Sequence, residues 1–436
     1  MARPNVLMIA VDDLNHWVGP LRRNPVAKTP HIDRLARGGL TFTHAYCPAP
    51  VCNASRAALL SGRLPSSTGV YDNGINWETR IPEGTTLSAQ FLKADYDVRG
   101  IGKLFHGNTY KTSEWTEYIK NLPVDDLNGA LESGKNGKLP YAKLPPDETG
   151  LTDFKSAQYT IEQLRKKHTN PFFLACGFYR PHLPWNVPGR YFDLYPLETI
   201  PLPPYKKDDL DDIPPIGRDW ALSIGDHKAI LEQGGKKVWK QAMQAYLASI
   251  SFLDVQLGKV LDAYERSPER DNTIVVLWGD HGWHLGEKNH WRKFALWEEA
   301  TRTPLIWKAP GITKPGTRCE HPVDLMALYP TLCTLTGIPK PSFVEGADLR
   351  PLLKNPHASW TLPAVTTFRY KNHAVRAKKW RYIRYVDGNE ELYDHTKDPY
   401  EWTNLAAKRE LAGVKTELSR WLPKVNVPQP PNDLDH

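Results

Sequence analysis

Short apolar runs, each closed by turn chemistry and followed by a helical pattern, recur through the first 340 or so residues and confine this chain to a layered α/β architecture. Asn5–Ala10, Asp97–Gly100, Pro171–Cys176, Thr273–Trp278 and Pro304–Trp307 read as short strands. Between and after them, helical patterning covers His31–Arg37, Thr85–Ala94, Lys155–His168, Lys236–Arg266 and Val323–Thr336, the first opened by the start signal Thr29-Pro30. Alternation of this kind predicts a sheet with helices on both faces. Ligands in such sheets sit beyond the carboxyl ends of the strands.

Two stretches, Gly107–Gly150 and Pro184–Pro215, are rich in Pro, Gly and Asp and read as long loops walling or covering a site. From about Pro356 the text changes to short extended segments, Ala364–Phe368, His373–Ala377, Trp380–Val386 and Glu391–Tyr393, with a closing helix Asn404–Trp421. We therefore divide the chain into a catalytic α/β unit, 1–355, and a small antiparallel-sheet unit, 356–436. With 436 residues, 40% apolar and 24% charged, the composition is that of a folded globular chain. No run approaches the ~18 apolar residues of a membrane span. The apolar stretch Val6–Ala10 is too short for a signal core, so the expected compartment is the cytoplasm, or the periplasm or exterior if a leader has been removed. Five cysteines without CxxC spacing build neither a disulfide framework nor a zinc cluster. The net charge of +7 is spread along the chain, with no basic stripe for nucleic acid.

Three clusters carry chemistry. Asp12-Asp13 follows the first strand and Asp280-His281 follows the strand Thr273–Trp278. Either alone is an ordinary turn; carboxylates at the ends of two strands are better explained by one shared cation. The third cluster is Cys52-Asn53-Ala54-Ser55-Arg56, with Ser61-Gly62-Arg63 beyond it. Cys52 precedes a helical segment, Ser55–Leu60, whose N-terminal amides and dipole favour an anion, and Arg56 offers a guanidinium fork to an oxyanion.

This third cluster resembles the signature of the type I, formylglycine-dependent sulfatases: Cys-x-Pro/Ala-x-Arg followed by Thr/Ser-Gly-Arg. The likeness extends through Thr29–Asp33, Gly102-Lys103-Leu104-Phe105-His106, Arg180-Pro181-His182, Asp280–Trp283 with Leu285-Gly286-Glu287, and Glu391–Asp394 with Asp398-Pro399 and Asn404-Leu405. Gly102–His106, Tyr71-Asp72 and the Asp-His pair are most similar to the iduronate-2-sulfatase-like group. The implied fold is an alkaline-phosphatase-like mixed sheet sandwiched by helices, with a small C-terminal antiparallel sheet.

What the resemblance implies is a sulfuric ester hydrolase whose Cys52 is converted to formylglycine by a maturation enzyme. A divalent cation, calcium with magnesium as the alternative, would be held by Asp12, Asp13, Asp280, His281 and the modified Cys52. Arg56, Lys103 and Lys293 would surround the sulfuryl oxygens, His182 would protonate the departing oxygen, and His106 would hydrogen-bond the diol and take its proton. Three residues depart from the commoner pattern: Ala54 for Pro, Ser61 for Thr and His281 for Asn.

Asp72, Asn73, Trp77, Trp283 and His284 are candidate substrate contacts, with Trp115 and Trp185 as further walls and Arg369, His373 and Arg376 closing one side. The expected substrate is a sulfated carbohydrate, such as a glycosaminoglycan unit, attacked at its end. Choline or aryl sulfates, a phosphate or phosphonate ester, and passive binding of sulfated sugars stand as alternatives. No partner in nucleic acid or membrane is expected, and oligomeric state is not legible.

Overall fold

The apolar runs pair into one mixed sheet in a computed structural model that describes residues 3–107, 109–120 and 129–429. Those parts of the expected loop Gly107–Gly150 and of the C-terminal unit that fall on 108, 121–128 and 430–436 lie outside the described residues. The strands are β1 (Asn5–Val11), β2 (Leu40–Tyr46), β3 (Asp97–Gly102), β4 (Glu117–Ile119), β5 (Phe172–Phe178), β6 (Thr273–Gly279), β7 (Arg302–Lys308), β8 (Thr317–Cys319) and β9 (Val323–Asp324). Their order is β8-β2-β7-β6-β1-β5-β3-β4, with β9 also on β2. Only β7 runs against its neighbours, β6 and β2. β1 lies at the centre, Val6 opposite both Phe173 and Ile274, so its neighbours come from distant parts of the chain.

Strand alternation divides the core in two. Leu7, Ile9 and Val11 of β1 face a layer built from α1 (Pro30–Gly38), α4 (Thr152–Arg165) and α5 (Lys236–Arg266). Val6, Met8 and Ala10 face the other, with α2 (Cys52–Ser61), α3 (Leu87–Lys93) and α6 (Leu328–Thr336). Because both faces are covered, β1 reads as a continuous apolar run.

Four further strands, β10 (Ala364–Thr367), β11 (His373–Arg376), β12 (Trp380–Arg384) and β13 (Glu390–Asp394), form a separate antiparallel sheet in sequential order. It is fixed to the large sheet by buried polar contacts. The Thr366 hydroxyl donates to the Cys47 carbonyl at 2.6 Å, and the Arg381 guanidinium reaches Glu298 and Glu401, each at 2.5 Å.

Several expectations need correction. β2 was not anticipated, because Thr41, Thr43 and His44 interrupt its apolar pattern. The expected helix Val323–Thr336 begins only at Leu328, its first residues being taken by pairing of β9 with β2. The closing helix reduces to α7 (Ala412–Ser419), since the Asn404 side chain accepts from the backbone of Leu392 and Ala406 and holds that stretch in a turn. The two long loops carry structure too: a hairpin of Glu132–Asn136 with Leu139–Leu144, extended by Trp185–Pro188. Among the described residues no helix is long and apolar enough to cross a membrane.

Candidate active site

β1, β2, β3, β5 and β6 all run the same way, so the segments leaving them open on one edge of the sheet. Asp12-Asp13 leaves β1, Asp280-His281 leaves β6, Lys103 leaves β3, His182 follows β5, and the loop after β2 delivers Cys52 as the first residue of α2. The ladder continues into the site: the Asp12 amide donates to the Phe178 carbonyl and the Asp280 amide to Val11, both at 3.1 Å. Asp13 has φ 57°, in the left-handed region, held by its amide on Asp280 Oδ1 (3.0 Å) and by the Tyr246 hydroxyl on its carbonyl (2.8 Å).

All of α2 is buried, and Cys52 itself is helical, three residues earlier than the expected start at Ser55. The helix ends at Gly62, φ 70°, where a Cβ would lie 2.9 Å from the Tyr329 ring; the Ser-Gly-Arg step thus requires glycine. Cys52 Sγ accepts from Lys293 Nζ at 3.0 Å, lies 3.3 Å from His281 Nε2 and is 4.0 Å from Asp13 Oδ1. Lys293 also donates to Asp13 Oδ1 at 2.6 Å. Lys103 pairs with Asp12.

Arg56, one helical turn after Cys52, does something other than expected. Its guanidinium is fully buried and is engaged by Asp280 Oδ2 (2.8 Å), Asp12 Oδ1 (3.3 Å), the Leu104 carbonyl (3.2 Å) and the Lys103 carbonyl. It holds the carboxylates in place instead of presenting a fork to an incoming oxyanion.

Burial opposes ionisation of Asp12, yet Lys103, His182 and Arg56 outweigh it and hold its carboxyl well below the usual range. Asp13 is lowered in the same way, Lys293 overcoming its desolvation. For Asp280 burial prevails over Arg56 and raises the carboxyl to about 7. His281 moves oppositely: desolvation disfavours its cation, but Asp280 and Cys52 raise it to about 9. The Cys52 thiol is disfavoured as thiolate by burial and Asp12, but Lys293, Lys103 and His281 bring it below its ordinary value. His182 and His106 are each pushed down to about 4, first by desolvation and then by Lys103, so both rings are neutral at pH 7.

The donor set fits a divalent cation. Ligand atoms of Asp12, Cys52, Asp280 and His281 all lie within 4.8 Å of one another, as do those of Asp12, Asp13, Cys52 and His182. Opposed ligands of a calcium ion are separated by about 5 Å, twice a bond of roughly 2.3–2.6 Å. Asp13 Oδ2 is buried without a hydrogen-bond partner. His182 Nε2 stands 3.8 Å from that oxygen, and its side chain, 32% exposed, forms the rim. Among the described residues the buried Nδ1 of His106 has no partner.

The expected aromatic walls are elsewhere. Trp77 is 1% exposed and stacks on Phe105 at 4.6 Å; Trp283, also 1%, stacks on Tyr246 at 6.2 Å; His284 is fully buried against His290 and Trp297. These three pack in the interior against other rings and none of them lines the cavity of Asp72 and Asn73, and Trp115 and Trp185 are likewise buried. His373 and Arg376 are also interior, bound to Asn426 and Glu298. Asp72 and Asn73 do line a cavity of about 260 Å³, with Arg369 and Gln429. Its aromatic side consists of Trp220, Phe294 and Phe368. The cavity lies next to the segment that carries Cys52: the Asn53 amide donates to Asn73 Oδ1 at 3.1 Å and Asn53 Nδ2 to the Asp72 carbonyl at 2.8 Å, while Val51 and Phe294, chain neighbours of Cys52 and Lys293, line it. Trp220, Phe294 and Phe368 were missed because nothing in their local sequence distinguishes a wall aromatic from a core one.

The sulfatase family model matches residues 4–338, and that for the C-terminal part of N-sulphoglucosamine sulphohydrolase matches residues 286–427. A protein named sulfatase from Formosa agariphila is 40% identical, covering 98% of this chain and 87% of its own. Iduronate 2-sulfatase of Homo sapiens is 31% identical over 78% of this chain and 71% of its own. The fold is shared with a solved structure in complex with its substrate D-glucosamine-2-N,6-O-disulfate (TM-score 0.78, 22% identity, 96% of this chain and 97% of that one).

Proposed function

This chain belongs to the sulfatase family and hydrolyses sulfate esters, and we propose that its substrate is a sulfated carbohydrate from which it removes sulfate at a terminal unit. The observation that carries the reading is the placement of Cys52 Sγ, 3.0 Å from Lys293 Nζ and 3.3 Å from His281 Nε2, beside Asp12, Asp13 and Asp280. A passive sugar binder has no use for a nucleophile set against buried carboxylates that only cations can compensate. The sugar class is supported by the likeness to human iduronate 2-sulfatase and by a single-ring-sized cavity with aromatic and polar sides.

Asp12, Asp13, Asp280, His281 and the residue derived from Cys52 would hold calcium, or magnesium in its place. Formylglycine at position 52 supplies a hydrated aldehyde as nucleophile, and the cation lowers that nucleophile's proton affinity. Around it the chain's own groups divide the work. Lys103 and Lys293 neutralise sulfuryl oxygens, and Arg56 fixes Asp12 and Asp280. His182, on the rim with Nδ1–H held on the Leu183 carbonyl, acts as the imidazolium: the anionic ester bound beside it favours uptake of a proton from solvent on Nε2, and that proton passes to the departing ester oxygen. His106, neutral and with Nδ1 unpartnered, accepts one when the cycle closes. We read residues 1–355 as the catalytic unit and 356–436 as the unit that closes the cavity.

The test is peptide mass spectrometry across Cys52 after co-expression with a formylglycine-generating enzyme, with sulfate release from mono- and oligosaccharides measured alongside. Aldehyde at position 52 and release from chain ends, both lost in Cys52→Ala, are expected. Sulfate release by Cys52→Ala would overturn the reading. If Cys52 stays a thiol, Ala54→Pro decides whether the maturation enzyme rejects the signature; at the third helical residue proline fits the first turn.

A further inference from the structure

The cavity beside Cys52 carries one charge that the proposed chemistry does not use. Asp72 is engaged on both oxygens, Oδ1 by the Gly74 amide at 3.0 Å and Oδ2 by the Gln429 amide at 2.9 Å. Arg369, on the same wall, is exposed, and among the described residues no carboxylate lies within 4.0 Å of its guanidinium. It sits in the turn between β10 and β11 with φ 57°, a conformation that a non-glycine residue keeps only when its surroundings enforce it. They do so here. The Phe368 amide donates to the Asn372 carbonyl (2.9 Å), Asn372 Nδ2 to the Tyr370 carbonyl (2.9 Å), and the Val386 amide to Asn372 Oδ1 (2.9 Å). Trp220 packs edge-on against Phe368 at 4.7 Å and backs the turn. A guanidinium presented on a braced turn over an aromatic floor is arranged to receive an anion with two oxygens.

We infer that Arg369 determines specificity by binding a second anionic group, a carboxylate or another sulfate, on the sugar whose ester lies at Cys52. This rests on the sulfated-carbohydrate reading and adds the feature by which one sulfated sugar is preferred to another. The cavity volume of about 260 Å³ suits one ring, so the second anion belongs to the same unit as the scissile ester.

Binding can be measured without turnover. In a Cys52→Ala background, calorimetry would compare a 2-O-sulfated hexuronate, an N,6-O-disulfated glucosamine and a monosulfated neutral hexose, with Arg369 intact and as Arg369→Ala. The affinity ratio of the preferred anionic sugar to the neutral one should fall about tenfold in Arg369→Ala, as expected for one partly solvated charge-assisted contact. Arg369→Lys should recover part of it. A loss confined to the hexuronate assigns the carboxylate, and one confined to the disulfated sugar assigns the second sulfate. Equal losses for all three sugars, an unchanged ratio, or no binding of either anionic sugar with Arg369 intact would overturn the inference while leaving sulfate release untouched. Failure of the unsubstituted, matured protein to release any sulfate would count against the function and not against Arg369.

Discussion

Replacing Arg56 by Met tests whether the carboxylates of the site depend on this one guanidinium. The substitution keeps volume and removes every contact to Asp280, Asp12 and the two carbonyls, all in a fully buried setting. Removing one partner of a buried ion pair costs about 3–5 kcal/mol. At about 1 °C per kcal/mol for a chain of this size, the midpoint of thermal unfolding should drop by roughly 3–5 °C. The loss should depend on pH in a definite sense. Burial already raises Asp280 to about 7 with Arg56 present, and without it the carboxyl rises further. An acid whose folded value lies above its unfolded one makes the folded state the better proton binder, so stability falls as pH rises from about 4 through the folded value. Scanning calorimetry should therefore find Arg56→Met penalised more at pH 8 than at pH 5, and excess calcium should narrow the difference. A midpoint shift under 2 °C, or one independent of pH, would refute this account of the buried charges.

Three further expectations can be checked separately. His182→Asn should lower turnover of sugar sulfates by about 10²–10⁴ but that of para-nitrophenyl sulfate by under tenfold, since a phenolate leaves without a proton; equal losses would remove His182 from that role. His284 is fully buried and burial pushes it down to about 3, so acidification from pH 6.5 must protonate it in the unfolded chain first. Between pH 6 and 4 the unfolding free energy of the unsubstituted protein should fall by about 1.4 kcal/mol per pH unit more than that of His284→Gln, measured in urea titrations. Glu298→Ala leaves Arg376 without its carboxylate and Arg381 with Glu401 alone beneath the small sheet, and limited proteolysis should cut near residues 356–364 several-fold faster; unchanged cutting would show the sheet to be held by other contacts.

The framework was legible because β1, β5 and β6 are covered on both faces and therefore written as unbroken apolar runs. α5 spans Lys236–Arg266, as its apolar period predicts. Strand ends place the polar cluster, so Asp12, Asp13, Asp280 and His281 could be found from position alone, whereas Cys52 needed the family signature. What was not legible depends on tertiary burial. Trp77 and Trp283 have the residue type of a sugar platform but lie under other rings, while Trp220, equally plain in sequence, lines the cavity together with Ser223 from the short helix Pro215–Ser223. Arg56 shows the same limit: its charge was evident, but only the fold reveals that carboxylates consume it.

The cavity is assembled from distant stretches of chain that meet between the two sheets. Val51 and Phe294, the chain neighbours of Cys52 and Lys293, line it on the side of the large sheet, and Arg369 lines it from a turn of the small one. On the inference drawn above, bond cleavage and substrate choice are carried by different parts of the fold, so substitutions in the turn at 368–372 should change which sulfate ester is preferred while the reactive centre stays as it is.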